Sequence, residues 1–349
     1  MSRDRPLVLL AEGSNQTGLG HLMRLLALGQ AWLDTTGPVL ALVGEAPESI
    51  IHRYASAGFT VQRTDPATKE GVMELARILR NDPTARAAVD LPHVDAADLD
   101  RLGAVAARTL VVDDMALLGR YPVGLVLNQN AHADRSAYPP DGEARYLLGL
   151  SYALLRREFR QPLAERRVPD RGRHLLVTFG GADPTRMTSR VLLAAADLPG
   201  ATRRDLEVRV VVGAANADVD RIIAVAERAD MPVSVEQALD DMVAPIAWAD
   251  LAVTSGGTTV WELARLGCPS VVIETGPSEM LLAGGLERLG LFDRLGPADH
   301  VTDEQLRTTI ARRLADHRWR TDMARRGVAA VDGQGAGRVV DALTGLDAR

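Results

Sequence analysis

The sequence predicts an α/β protein with two Rossmann-like domains that face a cleft. Short apolar runs rich in β-branched residues alternate with amphipathic stretches, a pattern typical of parallel sheets covered by helices. The chain has 349 residues, and because a domain usually has ~100–200 residues, two domains are expected. A charged stretch that is poor in strand-forming residues, 156–173, divides two halves of similar length. We expect a cleft because open α/β sheets bind ligands at the carboxyl ends of their strands.

Strands are predicted where short apolar runs are bounded by polar or turn residues. In the first half these runs are Leu7–Ala11, Val39–Val43, Arg108–Asp113 and Gly124–Leu127. In the second half they are His174–Phe179, Glu207–Val212, Val233–Val235, Leu251–Thr254 and Ser270–Ile273. Helices are predicted between them, at His21–Leu33, Pro47–Ala57, Lys69–Leu79, Ala96–Ala106, Ala217–Ala229, Thr258–Leu266 and Glu279–Leu289.

These elements predict the domain boundaries. Residues 1–155 form an N-terminal Rossmann-like domain, and residues 156–173 form the linker. Residues 174–335 form a C-terminal Rossmann-like domain, and residues 336–349 form a short helix after a glycine-rich break.

The composition excludes several functional classes. A net charge of −6 argues against nucleic acid as a partner, because phosphate-backbone binding needs a basic surface. No run reaches the ~18–20 apolar residues of a membrane span. The chain start leads directly into a strand, so we expect a cytoplasmic protein without stable membrane insertion. The single cysteine, Cys268, excludes an internal disulfide and a cysteine-based metal cluster.

The loop Gly18-Leu19-Gly20-His21 follows the first strand and opens the first helix. Gly20 permits close backbone approach, and a helix start offers free N–H groups to an anion. An imidazole there would stand at the carboxyl end of a strand, with its pKa pushed downward, which would keep His21 available as a base. A helix-start histidine could equally bond locally or face solvent, and position alone leaves both interpretations open.

The segment Thr254-Ser255-Gly256-Gly257-Thr258-Thr259 gives the strongest physical signal. Two glycines between a strand and a helix let the backbone wrap a phosphate, and the hydroxyls can bond phosphate oxygens or cap the helix. A helix cap alone does not explain the double glycine. Glu262, one turn further, is a candidate for the ribose, the alternative being a solvent-facing glutamate.

Two further strand ends carry candidate residues. Gly180 and Gly181 form a second phosphate nest, followed by Asp183 as a helix N-cap and Pro184 as the first helical residue. Asp113 and Asp114 end another strand, and because adjacent side chains point to opposite faces, at most one enters the cleft; Asp113 is the candidate. The histidines and carboxylates do not form a metal-ligand set, so we expect neither a metal nor a cofactor.

In combination, these segments resemble the UDP-sugar hydrolases of pseudaminic-acid biosynthesis and the related spore-coat polysaccharide proteins. Those proteins share the GT-B fold with the peptidoglycan N-acetylglucosaminyltransferase. The resemblance covers nearly the whole chain. The segments that carry it are Gly18-Leu19-Gly20-His21-Leu22-Met23-Arg24, Asn128-Gln129-Asn130-Ala131, Leu147–Arg156, Phe179–Asp183 and Ser255–Leu263.

The resemblance implies roles for several residues. His21 would be the general base that activates water at the anomeric carbon, so that UDP leaves with inversion. The Gly256–Thr259 turn would stabilise the departing diphosphate without a metal, through fixed N–H dipoles. Glu262 would hold the ribose, and Arg24 would contact phosphate or brace the glycine loop.

The chain departs from the family pattern on the sugar side. Leu10-Ala11-Glu12 stands where relatives tend to have Arg-x-Asp, Asp114-Met115 where a His-Tyr pair is usual, and Ser278-Glu279 where Asn-Gln is usual. We therefore expect the C-terminal domain to retain the nucleotide site, and the N-terminal domain, with His21 as base, to form a rebuilt sugar or acceptor side. The residues assigned to that rebuilt side are Asn130, Met115, Ser278 and Glu279.

Three functions remain open from the sequence. The leading hypothesis is inverting hydrolysis of a nucleotide-sugar, UDP-linked and carrying a modified amino-sugar, with His21 as base. The nearest alternative is an inverting GT-B glycosyltransferase, in which His21 or Glu12 deprotonates a hydroxyl or amine of a small-molecule or glycan acceptor. A non-catalytic nucleotide-sugar binder is the third.

Overall fold

A computed structural model describes residues 4–13, 19–64, 69–140, 142, 144–162, 166–276, 279–280, 285 and 287–347, without the side chains of 69 and 347. The chain divides into two compact units. Unit 1 contains Met1–Arg160 and Gly333–Arg349, and unit 2 contains Gln161–Asp332.

Unit 1 contains a parallel sheet of seven strands, ordered β3-β2-β1-β4-β5-β6-β7. The strands are β1 Leu7–Ala11, β2 Val39–Val43, β3 Thr60–Arg63, β4 Arg86–Asp90, β5 Thr109–Val112, β6 Leu125–Asn128 and β7 Arg145–Leu148. The first five helices are α1 Gly20–Thr35, α2 Glu48–Ser56, α3 Lys69–Asn81, α4 Ala96–Asp100 and α5 Arg157–Arg160. Short 3₁₀ turns occupy Gly103–Arg108, Arg135–Ala137 and Leu150–Tyr152.

Both faces of the unit 1 sheet are buried, which explains the uninterrupted apolar run of β1. Leu7 and Leu9 pack into one core with α1, whereas Val8 and Leu10 pack into a second core with α3. This alternation is the period-two consequence of a strand covered by helices on both sides.

Unit 2 contains a parallel sheet of six strands, ordered β10-β9-β8-β11-β12-β13. The strands are β8 His174–Thr178, β9 Glu207–Val212, β10 Val233–Gln237, β11 Leu251–Ser255, β12 Ser270–Glu274 and β13 Asp293–Pro297. The helices are α6 Met187–Ala196, α7 Gly200–Arg203, α8 Val219–Glu227, α9 Val243–Trp248, α10 Thr259–Arg265, α11 Asp303–Ala315 and α12 His317–Ala330. The central strands supply Leu175, Val177, Leu251 and Val253 to its core.

The chain returns to unit 1 through a last helix, α13 Gly335–Thr344, followed by a 3₁₀ turn at Gly345–Asp347. Val339 and Leu343 of α13 belong to the same core as Leu22 of α1. A Cβ on Gly335 would lie 2.3 Å from the carbonyl oxygen of Ala153, so glycine permits this close approach. The C-terminal helix, which we predicted as a separate segment at residues 336–349, therefore belongs to the N-terminal unit.

All nine predicted strands are present to within two residues at each end, but β3, β4, β7 and β13 are additional. The strand β4 has one β-branched residue and begins with the fully buried Arg86, whose guanidinium donates to backbone carbonyls. The helix predicted at 96–106 is wrong in its second part, because Gly103 adopts φ +55° and the chain continues as a 3₁₀ turn. The helix predicted at 279–289 lies partly outside the described residues.

The predicted linker, 156–173, is also corrected. Residues 157–160 form α5 and are held in unit 1, where Arg157 Nη2 donates to Asp34 Oδ1 at 2.6 Å and Arg157 N donates to Gln30 Oε1 at 2.8 Å. The boundary therefore falls after Arg160, and unit 2 ends at Asp332 instead of residue 335.

Candidate active site

The first candidate site lies where the strand order of the unit 1 sheet reverses, between β1 and β4. Ala11, the last residue of β1, is in register with Asp90, the last residue of β4. Helix α1 begins after the loop that follows β1. Carboxyl ends at such a switch point are the usual ligand-binding edge of an open α/β sheet.

Four charged or titratable side chains meet at this edge. His21 and Arg24 are three residues apart in α1 and so project from the same face. His21 Nδ1 lies 2.7 Å from Asp90 Oδ1. Arg24 binds Asp90 through Nε and, at 2.8 Å, through Nη2, while its Nη1 donates to Asp114 Oδ2 at 2.6 Å. We call His21, Arg24, Asp90 and Asp114 the charged network.

Burial and pairing determine the charges in the network. Asp90 is 1% exposed and Arg24 is 6% exposed. Burial alone would raise the pKa of Asp90, but Arg24 and His21 favour its ionised form and lower that pKa to about 2. Burial likewise opposes the charge of Arg24, and Asp114 and Asp90 nevertheless raise its pKa. Asp90 and Arg24 are therefore a fixed ion pair at neutral pH.

The ion pair determines which nitrogen of neutral His21 carries the proton. An ionised carboxylate only accepts hydrogen bonds, so His21 Nδ1 donates to Asp90. Arg24 Nη2 also lies 3.1 Å from His21 Nδ1, but if Nδ1 accepted from it, the Nδ1 lone pair would face the Asp90 carboxylate at 2.7 Å and be repelled. The remaining lone pair is then on Nε2 of a side chain that is 22% exposed. This is the tautomer that a general base requires.

Asp114 extends the network towards the loop after β6. Asn130 Nδ2 donates to Asp114 Oδ1 at 2.6 Å, and the Asn130 amide is itself held by Asn128 Oδ1 at 2.9 Å. His132 Nε2 lies 3.0 Å from the Asp114 carbonyl oxygen and donates a hydrogen bond to it. The predicted acceptor-side residue Asn130 is thus brought to the charged network.

Asp113, predicted as catalytic, is not brought to His21. Its carboxylate accepts from the backbone N–H groups of Met115 and Ala116, at 2.9 and 3.0 Å, and from the Tyr121 hydroxyl. This carboxylate therefore closes the turn after β5, and its neighbour Asp114 enters the network instead.

The surroundings of Arg24 favour one of its two suggested roles. Its buried guanidinium is bound by two carboxylates and so braces the site, whereas the phosphate contact stays a prediction. Gly20 is the first residue of α1, whose start carries no side-chain cap. Glu12 follows β1 and is half-buried, and Met115 is exposed; their functional roles stay predictions.

The second candidate site lies at the strand-order reversal of unit 2, between β8 and β11. Gly180 follows β8 with φ +69°, and a Cβ placed there would lie 3.8 Å from Ser255 Oγ at the end of β11. A Cβ on Gly213 would lie 2.2 Å from the Gly180 carbonyl oxygen and 2.3 Å from that of Gly181. The loop after β8 therefore packs directly against the loop after β9.

The predicted phosphate turn and Glu279 lie together beside this loop. A Cβ on Gly257 would lie 3.7 Å from both Glu279 Oε1 and Ser255 Oγ. Glu279 Oε2 accepts from Thr275 N at 2.6 Å and from its hydroxyl at 3.1 Å. Burial raises the pKa of Glu279, although hydrogen bonds from Thr275, Gly256 and Ser255 oppose that rise. The described groups that donate hydrogen bonds to Glu279 are thus neutral, and its carboxyl borders a glycine-lined turn.

The remaining predicted residues of unit 2 divide into three groups. The helix α6 begins at Met187 and its N-cap is Arg186, so the predictions of Asp183 as N-cap and of Pro184 as first helical residue are wrong. The Asp183 carboxylate nevertheless accepts from Met187 N and Thr188 N at 2.9 and 2.8 Å. Thr258 makes no side-chain cap at α10, and Thr259 and Glu262 are half-buried in its first turn. Ser278 lies outside the described residues, as does Gly18 of the opening loop.

Asp90 is the site residue that the sequence analysis missed. Its signal was a carboxylate directly after the buried run Ala87-Ala88-Val89, but the alanines and the leading arginine concealed that strand. Among the described residues, no group of three or more His, Cys, Asp or Glu could hold a metal ion. Within the same residues, every helix is too short or too polar to cross a membrane.

Known sequences resemble the second candidate site and nearly the whole chain. Residues 174–279, which include Gly180, Ser255 and Glu279, match the glycosyltransferase family 28 C-terminal domain. Over 345 residues the chain is 23% identical to the spore coat polysaccharide biosynthesis protein SpsG of Bacillus subtilis (strain 168), and the match covers 97% of each chain.

Solved structures resemble the whole chain. MurG of Acinetobacter baumannii superimposes with a TM-score of 0.64 at 16% identity, covering 97% of this chain and 99% of that one. The spinosyn rhamnosyltransferase SpnG complexed with thymidine diphosphate gives 0.59 at 17% identity, covering 96% and 98%. These matches confirm the predicted fold class, a GT-B fold built from two Rossmann-like parallel-sheet domains.

Proposed function

We propose that this chain is an inverting glycosyltransferase that moves a sugar from a nucleoside diphosphate to an acceptor. The observation that carries this proposal is the His21–Asp90 pair, which gives the site a histidine whose Nε2 lone pair is available. The family 28 match and the likeness to a rhamnosyltransferase that binds thymidine diphosphate support the transferase alternative better than hydrolysis, our leading expectation from the sequence.

In this proposal unit 2 binds the nucleoside diphosphate. The glycines after β8 and β11 leave backbone N–H groups without side-chain cover, and such groups bind phosphate oxygens. The Ser255 hydroxyl lies beside Gly180 and Gly257, where a phosphate oxygen would compete with Glu279 for its hydrogen bond. Glu262, one turn into α10, is proposed to bind the ribose, as the sequence suggested.

Unit 1 supplies the base in the transfer. His21 Nε2 takes the proton of an acceptor hydroxyl while that oxygen attacks the anomeric carbon. The bond from the anomeric carbon to the phosphate oxygen breaks, and the nucleoside diphosphate leaves with the bonding electron pair. Asp90 stabilises the imidazolium that forms at His21, and Arg24 holds Asp90 in place.

The test is nucleoside diphosphate release from a panel of UDP- and TDP-sugars, measured with and without a panel of sugar and aglycone acceptors. We expect release that depends on an acceptor, together with a glycosylated product of inverted anomeric configuration. Equal release without any acceptor, yielding free sugar, would contradict transfer and restore the hydrolase hypothesis. Absence of release under both conditions would support a non-catalytic binder.

A further inference from the structure

Asp114 is a second carboxylate of the charged network, and the mechanism above gives it no role. Each of its oxygens is held by one donor, Oδ2 by Arg24 Nη1 and Oδ1 by Asn130 Nδ2, both at 2.6 Å. Arg24 is 6% and Asn130 2% exposed, whereas the Asp114 side chain is 26% exposed. The carboxylate is thus fixed from behind by two buried donors and remains accessible to a ligand.

The Asp114 carboxylate can accept further hydrogen bonds. A carboxylate oxygen has two lone pairs, so each Asp114 oxygen can accept one hydrogen bond beyond the one described. The nearby Asp114 carbonyl oxygen already accepts from His132 Nε2. A ligand that binds the exposed side of this carboxylate must therefore supply N–H or O–H donors.

The charge balance selects among the possible donor groups. The network contains two carboxylates, Asp90 and Asp114, against the single guanidinium of Arg24, while His21 is neutral when it acts as a base. The surplus is one negative charge. An ammonium group supplies three N–H donors and the missing positive charge, whereas a hydroxyl supplies one donor and no charge.

We propose that Asp114 is a specificity-determining residue that binds a protonated amine of the substrate, carried by the transferred sugar or by the acceptor. This inference rests on the proposed function and names its substrate class, an amino-sugar or an amino-alcohol acceptor. The ammonium is a recognition group and not the nucleophile, since its lone pair carries a proton. Asn130 and Arg24 are positioning residues for Asp114.

The test compares ligand pairs that differ only in an amine or a hydroxyl. In one arm the pairs are TDP- and UDP-sugars with the difference at C2, C3 or C4. In the other arm the corresponding free amino sugars and sugars are acceptors for one nucleotide-sugar. The kcat/KM for nucleoside diphosphate release is measured for wild type, Asp114→Asn and Glu45→Gln. Glu45 follows β2 at the same edge of the sheet, and its side chain is exposed.

In at least one arm, wild type should favour an amine by about tenfold or more, which is the expected scale of a charge-assisted hydrogen bond. That arm identifies whether the sugar or the acceptor carries the group. Asp114→Asn should abolish the preference, so that the amine and the hydroxyl member of each pair give equal kcat/KM, and Glu45→Gln should preserve it. Equal kcat/KM for amine and hydroxyl in wild type would refute the inference even if Asp114→Asn does not fold.

Two results would overturn the inference, and they are distinguishable. Release of nucleoside diphosphate with equal kcat/KM for amine and hydroxyl in both arms would contradict the role of Asp114 and leave the proposed function standing. A wild-type preference that Asp114→Asn retains in full would also assign amine recognition to another residue. No release from any substrate would contradict the proposed function itself.

Discussion

The two units use the carboxyl ends of their central strands in opposite ways. In unit 1, Asp90 is paired with Arg24, and its pKa is lowered to about 2. In unit 2, burial raises the pKa of Glu279, which accepts hydrogen bonds from neutral groups of Thr275, Gly256 and Ser255. Unit 1 thus holds fixed charges around a histidine, whereas unit 2 offers backbone and hydroxyl groups around glycines. In the proposed function, the central strands position proton transfer in unit 1 and anion binding in unit 2, and the following variants test that division.

The largest expected effect is loss of the base. His21→Ala should lower kcat by roughly 10²–10⁴-fold, the usual contribution of a general base. His52→Ala is a matched control, because His52 is exposed on α2. Steady-state kinetics with a nucleotide-sugar that wild type turns over would measure this loss. A kcat of His21→Ala within about twofold of wild type would remove His21 from the mechanism.

Replacing the carboxylate behind that histidine should have the next largest effect. Asp90→Asn should lower kcat by roughly 10–100-fold, because it loses the charge that stabilises the His21 imidazolium and its amide N–H can donate to Nδ1, which favours the wrong tautomer.

The same substitution should change the pH dependence of stability. The folded pKa of Asp90, about 2, lies below its ordinary value of 3.8, so its ion pair stabilises the fold above pH ~4, and that stabilisation is lost as pH falls towards ~2. Denaturant unfolding at several pH values should show a weaker dependence over this window in Asp90→Asn. An equal dependence in both proteins would refute the assigned ionisation.

A smaller effect is expected on the binding side. Gly213→Ala places a methyl group against the carbonyl oxygens of Gly180 and Gly181, so the loop after β8 must move. Nucleotide affinity, measured by calorimetry with UDP and TDP, should fall about tenfold, consistent with the usual cost of overpacking. Gly200→Ala is the control, because its nearest contact would be 3.6 Å from the end of a flexible arginine. Unchanged affinity in Gly213→Ala would place the phosphates elsewhere.

The smallest effect concerns the pH dependence of binding. A raised pKa keeps Glu279 protonated to higher pH, and only the protonated acid can donate to a phosphate oxygen. As pH rises through its ionisation, the carboxylate repels phosphate, so nucleotide affinity should fall a few-fold. Glu279→Gln should remove that dependence, and Glu227→Gln, on the exposed surface of α8, should keep it. Identical pH profiles for all three proteins would exclude Glu279 from the phosphate site.

The residues that the structure gathers in unit 2 were easier to predict from the sequence than those in unit 1, for a physical reason. The turn proposed to bind phosphate is local, because Ser255, Gly256 and Gly257 are adjacent in the chain. The charged network is not local: Asp90 lies 66 residues from Arg24, and Asp114 lies 90 residues from it. Residue spacing along the chain does not predict those contacts unless the position of every strand in the sheet is known.

The choice between Asp113 and Asp114 shows the same limit. Adjacent residues of a strand point to opposite faces, so the sequence limited the choice to one of the two. It could not show that the turn after β5 uses the Asp113 carboxylate for its own N–H groups. Likewise, α13 is visible as an amphipathic helix, but its place in the unit 1 core depends on a close approach at Gly335.

The most direct test measures binding and turnover in the same two variants. Titration calorimetry with UDP and TDP and turnover with a nucleotide-sugar are carried out on His21→Ala and Gly213→Ala. The division between the units predicts that His21→Ala binds the nucleoside diphosphate with wild-type affinity and loses turnover. It predicts that Gly213→Ala loses affinity and recovers kcat at saturating substrate. A His21→Ala protein that loses nucleotide affinity as severely as Gly213→Ala, or that turns over like wild type, would contradict it.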